Sequence, residues 1–306
     1  MSECIGRVLV LGASGFLGSN IARSLVANTT GEVVLHRQEQ PGPVLGGSSR
    51  VICADLTRAG ELERVLEDSQ PQLVVNCVAL ADVDACERDP VLADALNHRL
   101  PQRLAASAAA SGARLVHVSS DAVFDGRSSP YREHDEPSPI NEYGRSKLAG
   151  ERAVAASDAR ALIARTSIVG WSPSGTRSLL EYFHGRLSRG ERAPGFVDIY
   201  FRPLPVHWFW PACERLLADG AGGLVHITGP ELLSKYDFGR RVAIAFDLDP
   251  DLVEPTEGLT KTGRAARPPR LDVLPSRLGE GPLLPGDLGQ GLAELRRMSR
   301  KMEADA

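Results

Sequence analysis

The chain has 306 residues, 42% of them hydrophobic, enough to bury one large core or two interlocked ones without disulfide or metal staples. A net charge of -4 and a pI near 6.0 give no broad basic field, which argues against nucleic acid or an anionic membrane as the partner. Five scattered cysteines without a C-x-x-C pair read as reduced thiols, no apolar run approaches the ~20 residues of a membrane span, and no small-residue cleavage site follows the first apolar run, so a cytoplasmic protein without a metal site is expected.

In chain order, strands are expected at 7–11 (RVLVL), 32–36 (EVVLH), 50–53 (RVIC), 73–78 (LVVNCV), 114–120 (RLVHVSS) and 161–166 (ALIART). These runs are β-branched and bounded by Gly, Pro or polar residues, as buried parallel strands are. Amphipathic helices are expected at 16–28, 59–68, 91–111 and 141–157. Strand then helix, repeated, predicts an α/β fold, a Rossmann-like doubly wound parallel sheet over residues 1–170. Beyond 170 the Pro, Gly and aromatic content rises, as in GWSPSG and FRPLPVHWFW, so 171–306 reads as a smaller, mainly substrate-binding C-terminal domain. LVHIT (224–228) is a candidate strand that would return about 201–229 to the first domain, and 261–290 should be mostly loop.

The first strand runs into GASGFLG, a G-x-x-G-x-x-G pattern of Gly12, Gly15 and Gly18. Glycine allows the tight turn and the close approach of backbone amides to a pyrophosphate at the head of the next helix. Gly12, Ser14, Gly15, Phe16 and Leu17 are the candidate dinucleotide contacts of this turn. At the end of the second strand, where an acidic residue would take the ribose hydroxyls of NAD, the chain has His36 and Arg37. No carboxylate repels a 2′-phosphate there and a guanidinium is supplied, so NADP(H) is favoured over NAD(H). Asp55 and Leu56, after the third strand, fall where the adenine would lie, and Val78 and Ala79, after the fourth, complete the expected contacts.

In NEYGRSKLAGE (141–151), Tyr143 and Lys147 stand four residues apart, on one face of a helix. Tyr with Arg at the same spacing occurs at Tyr182 and Arg186 and at Tyr236 and Arg240, so the spacing alone is only suggestive. A carbonyl that accepts hydride needs a proton donor, and a nearby ammonium would lower the pKa of a tyrosine near 10 while Lys147 also bonds the nicotinamide ribose. The fifth strand ends in Ser119 and Ser120, so a hydroxyl can lie near the same carbonyl and polarise it, and Asn97 is either a proton relay or a satisfied buried amide.

Together, GASGFLG, VSSDAVFDG and YGRSK resemble the extended short-chain dehydrogenase/reductases. More narrowly, SSDAVFDGRSSPYREHDEPSPINEYGRSKLAGE is similar to the dTDP-4-dehydrorhamnose reductases, whose pattern runs S-T-D-Y-V-F-D-G, then P-Y, then N-x-Y-G-x-x-K-x-x-G-E. ARTSIVG, FRPLPV, LVHITGPELLSKYDFGR and RPPRLDVLPSRL extend the likeness over nearly the whole chain. The resemblance implies Ser120, Tyr143 and Lys147 as catalytic residues, a nucleotide-linked, dTDP-4-keto-6-deoxy type of sugar as substrate, and leaves a homodimer open.

Three positions depart from that pattern: Leu80 in the family's A-A-Y-T stretch, Ala122 for its tyrosine after S-T-D, and Ile168 for the tryptophan of R-T-S-W. All three lie where the resemblance seats the sugar, so a different or bulkier sugar is expected unless Trp171, Trp208 or Trp210 closes the space. The competing readings are a nucleotide-sugar epimerase or dehydratase, disfavoured because Asp121 is not followed by Glu, and a non-catalytic NADP-binding subunit like the regulatory one of methionine adenosyltransferase.

Overall fold

A computed structural model describes residues 6–38, 49–258, 265–278 and 281–304. β1 (Val8–Leu11), β2 (Val33–Arg37), β3 (Ser49–Cys53), β4 (Leu73–Asn76), β5 (Arg114–Ser120), β6 (Leu162–Thr166) and β7 (Gly223–Ile227) form one sheet in the order β7-β6-β5-β4-β1-β2-β3. Every pairing is parallel. The order reverses between β4 and β1, the switch point at which doubly wound sheets open a crevice beyond their carboxyl ends.

The strands read as continuous apolar runs because both faces are covered. Val8 and Val10 point into one core with Ile21 and Leu25, whereas Leu9 and Leu11 point into the other with Leu62 and Leu104. The helices of the first half are α1 (Phe16–Asn28), α2 (Glu61–Ser69), α3 (Val83–Arg88), α4 (Pro90–Asp94), α5 (Leu100–Ser111) and α6 (Glu142–Ser157).

The helix expected over 91–111 is interrupted. Residues Ala95–Arg99 form one π-helical turn between α4 and α5, with the Leu100 amide bonded to Ala95 O. Pro101 has no N–H to continue an i to i−4 ladder, so the wider turn is the local solution. Gly150 of α6 packs onto this turn so closely that an added Cβ would lie 2.1 Å from Asn97 O.

In the second half, α7 (Leu179–Leu187), α8 (Val206–Ala218), α9 (Lys235–Ala245) and α10 (Leu288–Ala304) follow. The strand expected at 224–228 joins the main sheet as β7, with Val225 opposite Ala164. HWFW is no pocket wall but part of α8, where Trp208, Phe209 and Trp210 are buried in the same core as Ile21 and Leu25 of α1. Short ladders, among them Ala193–Phe196 with Val253–Thr256 and Tyr200–Phe201 with Leu233–Ser234, also belong to this half. Within 261–290, residues 265–276 carry no helix, as expected, but α10 begins at Leu288, earlier than the loop was expected to end. Asp287 Oδ1 accepts from Gln290 N at 2.8 Å, and Leu288, Leu292 and Leu295 bury one helical face. Residues 261–264 and 279–280 of that expectation lie outside the described ones.

Candidate active site

The strands end along one edge, and each candidate residue follows from where its strand stops. After β1 the chain turns at Gly12, whose φ of +75° is open to glycine at little cost. A Cβ at Gly18 would lie 2.2 Å from Gly12 O, so the first turn of α1 packs directly on the loop. No side chain caps the N-terminus of α1 at Gly15, which leaves its first amides for a ligand oxygen. A cleft beside this turn is lined by Gly12, Ser14, Gly15, His36, Asp55, Leu56, Val78 and Ala79, together with Gln38, Ala54, Thr57, Cys77 and Leu96. Phe16 and Leu17 do not line it; Leu17 is buried in the core, and these two would contribute backbone only.

His36 takes a different role from the one expected. Its Nδ1 accepts from Gly12 N at 3.3 Å, so Nε2 carries the proton and donates to Ala54 O at 2.9 Å. Burial lowers its pKa, and the neutral ring straps the glycine turn to β3 rather than offering a cation to a phosphate. Arg37 is half-buried at the end of β2, between His36 and Gln38 of the cleft. Asp55 Oδ1 is held by Thr57 N at 3.1 Å and Thr57 Oγ1 at 2.6 Å, bonds that lower its pKa.

A second cavity adjoins, over the ends of β5 and β6. Ser120, Asp121, Ala122, Tyr143 and Ile168 line it from the sheet side, and Tyr200, Lys235 and Arg267 from the other. Ser120 Oγ accepts from Ala122 N at 3.1 Å, donates to Asp121 Oδ1 at 3.2 Å and is hydrogen-bonded to the Tyr143 side chain. Asn141 caps α6 by accepting from Gly144 N at 2.8 Å, and a Cβ at Gly144 would lie 2.2 Å from Ala122 O, so the helix turn carrying Tyr143 is pressed against the Ser120 segment. Lys147, 2% exposed, donates from Nζ to Val118 O at 2.7 Å.

The electrostatics correct one expectation. Burial pushes Tyr143 up to about 12, and the Ser120 bond only partly opposes it, while burial brings Lys147 down to about 8 against the pull of Glu151. Desolvation sets the direction of the Tyr143 shift, Ser120 rather than the Lys147 ammonium opposes it, and at neutral pH the phenol is protonated and Lys147 mostly charged.

Asn97 is the satisfied amide of the two readings: Nδ2 donates to Leu80 O at 3.1 Å and Ser146 Oγ at 3.0 Å, and Oδ1 accepts from Leu80 N at 2.9 Å. That tie also accounts for Leu80, which does not line the second cavity, unlike Ala122 and Ile168. None of Trp171, Trp208 and Trp210 lines it either; Trp171 Nε1 donates to Leu295 O at 2.8 Å. Ser167, Lys235 and Arg267 were not singled out from the sequence, and Asp121 was noted only for the Glu that does not follow it. Lys235 was findable as one of four lysines in an Arg-rich chain.

The profile of the RmlD substrate binding domain matches residues 6–277. The chain belongs to that family. It is 34% identical over 270 residues to a probable low-salt glycan biosynthesis reductase of Haloferax volcanii, covering 86% of this chain and 89% of the relative. Methionine adenosyltransferase 2 subunit beta of Pongo abelii is 31% identical over 258 residues, covering 81% and 75%. The crystal structure of a dTDP-4-dehydrorhamnose reductase of Clostridium acetobutylicum superposes with a TM-score of 0.79 at 25% identity, covering 96% of this chain and 99% of that one. The expected likeness to dTDP-4-dehydrorhamnose reductase and the Rossmann-like fold are thus borne out, and NAD(P)-dependent oxidoreductases of this type are the RmlD-family chain's neighbours. Among the described residues no helix is long and apolar enough to cross a membrane, and no cluster suits a metal ion.

Proposed function

We propose that this RmlD-family chain is an NADPH-dependent reductase of a keto group on a nucleotide-linked deoxysugar, with Tyr143 as the proton donor. The observation that carries the reading is the meeting of Ser120, Asp121 and Tyr143 in one cavity wall, at strand ends next to the glycine-turn cleft. The reductase names of the Haloferax and Clostridium relatives support it. The cleft fits a dinucleotide: Gly12 and Gly15 leave room for a pyrophosphate at the uncapped head of α1, Asp55 and Leu56 stand beside the adenine position, and Val78 and Ala79 stand towards the nicotinamide. When bound, the reduced nicotinamide supplies the hydride. Ser120 turns its one O–H from Asp121 Oδ1 to the carbonyl oxygen, and Tyr143, protonated at neutral pH, gives its proton to the oxygen as negative charge develops there. Lys147 has three N–H donors and spends one on Val118 O, which leaves two for the ribose.

The test is a screen of nucleotide-linked keto sugars, dTDP-4-keto-6-deoxyglucose among them, for NADPH oxidation. Turnover of at least one is expected. The 31% identity to methionine adenosyltransferase 2 subunit beta supports a second reading, a dinucleotide-binding partner subunit, which binding of NADPH without turnover of any sugar would favour.

Arg37 is assigned to the 2′-phosphate, since His36 is neutral and turned inward. A charged hydrogen bond of ~1.5 to 3 kcal/mol corresponds to roughly ten- to a hundredfold in affinity. Calorimetric titration of Arg37→Ala should show NADPH weakened by that order and NADH hardly changed; equal wild-type binding of both would remove the assignment.

Ala122 and Ile168 face the cavity with no tryptophan to fill it, which supports a sugar bulkier than the namesake's. Restoring bulk in an Ala122→Tyr, Ile168→Trp double variant should raise kcat/KM for dTDP-4-dehydrorhamnose by about 1 to 3 kcal/mol per regained contact. Efficient wild-type turnover of that sugar, with no gain in the double variant, would show that the pocket is already matched to it.

A further inference from the structure

Asp121 is the one carboxylate in the cavity wall beside the proton donor, and the reaction just described assigns it nothing. It is 7% exposed, hydrogen-bonded to Ser167, and accepts through Oδ1 from Ser120 Oγ at 3.2 Å, a bond that reverses when the carboxyl is protonated; Ser120 in turn is hydrogen-bonded to Tyr143. Carboxyl, hydroxyl and phenol therefore form one chain of proton-bearing groups ending at the reacting position. On the ketoreductase reading above, we propose that Asp121 is the terminal acid of a relay that returns a proton to Tyr143 through Ser120 after each reduction.

The steps balance without any electron transfer. The Tyr143 O–H bond breaks as its proton bonds to the substrate oxygen, leaving a phenolate. The Ser120 proton passes to that phenolate, the Asp121 carboxyl proton passes to the Ser120 oxygen, and the carboxylate left behind takes a hydronium or buffer proton from solvent. A serine hydroxyl can serve as the middle member because it donates and accepts through one oxygen. The driving force has the right sign. Burial pushes Asp121 up to about 6, opposed by its bonds to Ser167 and Ser120 and by Lys235, so an acid form is accessible near neutral pH, while the phenol at about 12 is the far stronger base. The charged and titratable groups that face Asp121 are Tyr143 on α6, Lys235 at the head of α9 and Arg267 across the cavity.

The test compares wild type with Asp121→Asn, full chain loaded with NADPH, and dTDP-4-keto-6-deoxyglucose as the probe. With enzyme in excess, each Tyr143 spends only the proton it already holds, so the first turnover should stay within about threefold of wild type, while steady-state kcat should fall about 10- to 100-fold. Wild-type kcat should decline as pH rises through about 6, where the acid form of Asp121 is lost, and that limb should be missing from the variant while the one near 8 from Lys147 remains. Independently of turnover, infrared titration of the unloaded wild type should show a carboxyl stretch that disappears near pH 6 and is absent from Asp121→Asn. Unchanged steady-state kcat, a first turnover slowed as much as kcat, or no carboxyl titrating in that range overturns the relay and leaves the ketoreductase reading standing. A wild type that oxidises NADPH with no sugar of the screen overturns that reading, and the relay with it.

Discussion

Tyr143→Phe is expected to lower kcat by about 10² to 10⁴, the usual range for loss of a general acid, with NADPH affinity nearly unchanged. The substitution removes one oxygen and keeps the ring, so the turn of α6 capped by Asn141 and packed through Gly144 on Ala122 is left in place. What disappears is a phenol that burial keeps protonated, with its pKa pushed up to about 12 and its hydrogen bond to Ser120. Steady-state kinetics with the best sugar of the screen, beside calorimetric titration of NADPH, checks both halves; full activity in the variant would remove Tyr143 from the chemistry.

Lys147→Ala should do more, weakening NADPH binding and kcat together. Its two uncommitted N–H donors are assigned to the ribose, and its charge is carried four residues along α6 from the phenol. The fold should tolerate the change, because the variant removes a charge that burial disfavours, and Glu151 keeps a bidentate pair with Arg165 at 2.9 and 2.7 Å as well as Ser119 Oγ at 2.6 Å. An unchanged NADPH affinity would contradict the dual role. In wild type the same residue predicts opposite trends in activity and stability. Its pKa falls from 10.5 to about 8 on folding, so kcat should drop as pH rises through about 8 and the ammonium is lost. For stability, the folded state is penalised while Lys147 is charged: this contribution is fully favourable only above 10.5 and is lost as pH falls through about 8, so stability rises with pH across that window. Activity that falls while the thermal midpoint holds or rises separates titration of Lys147 from unfolding.

The sheet was legible in the sequence because its signals are local. A strand buried on both faces must be apolar at every position, and the six runs expected in the first half each overlap an observed strand to within two residues at either end, with the fifth matching from Arg114 to Ser120. The glycine turn was equally plain, since only glycine meets the demands of a positive φ at residue 12 and a sub-van der Waals approach at residue 18. Tyr143 and Lys147 were suggested by helical spacing and singled out by the resemblance that YGRSK carries, both of which are local signals.

What the tertiary structure alone decided is which groups lose water and what they face. His36, a cofactor-site candidate in the sequence, lines the cleft, but its ring also reaches Gly12, 24 residues back, and Ala54, 18 residues on, and becomes a neutral strap. LVHIT belongs to the main sheet because a register with β6 across some 60 residues of chain satisfies its backbone, and HWFW fills a core because α8 lies on α1. The direction of the Tyr143 shift reversed the expectation, since helical spacing places an ammonium nearby but cannot report that the phenol is buried. Asp121 meets Lys235 and Arg267 in one cavity although each lies more than a hundred residues further along the chain. Period and turn chemistry are written in neighbours along the chain, whereas desolvation and the partner of a side chain depend on every segment that folds against it.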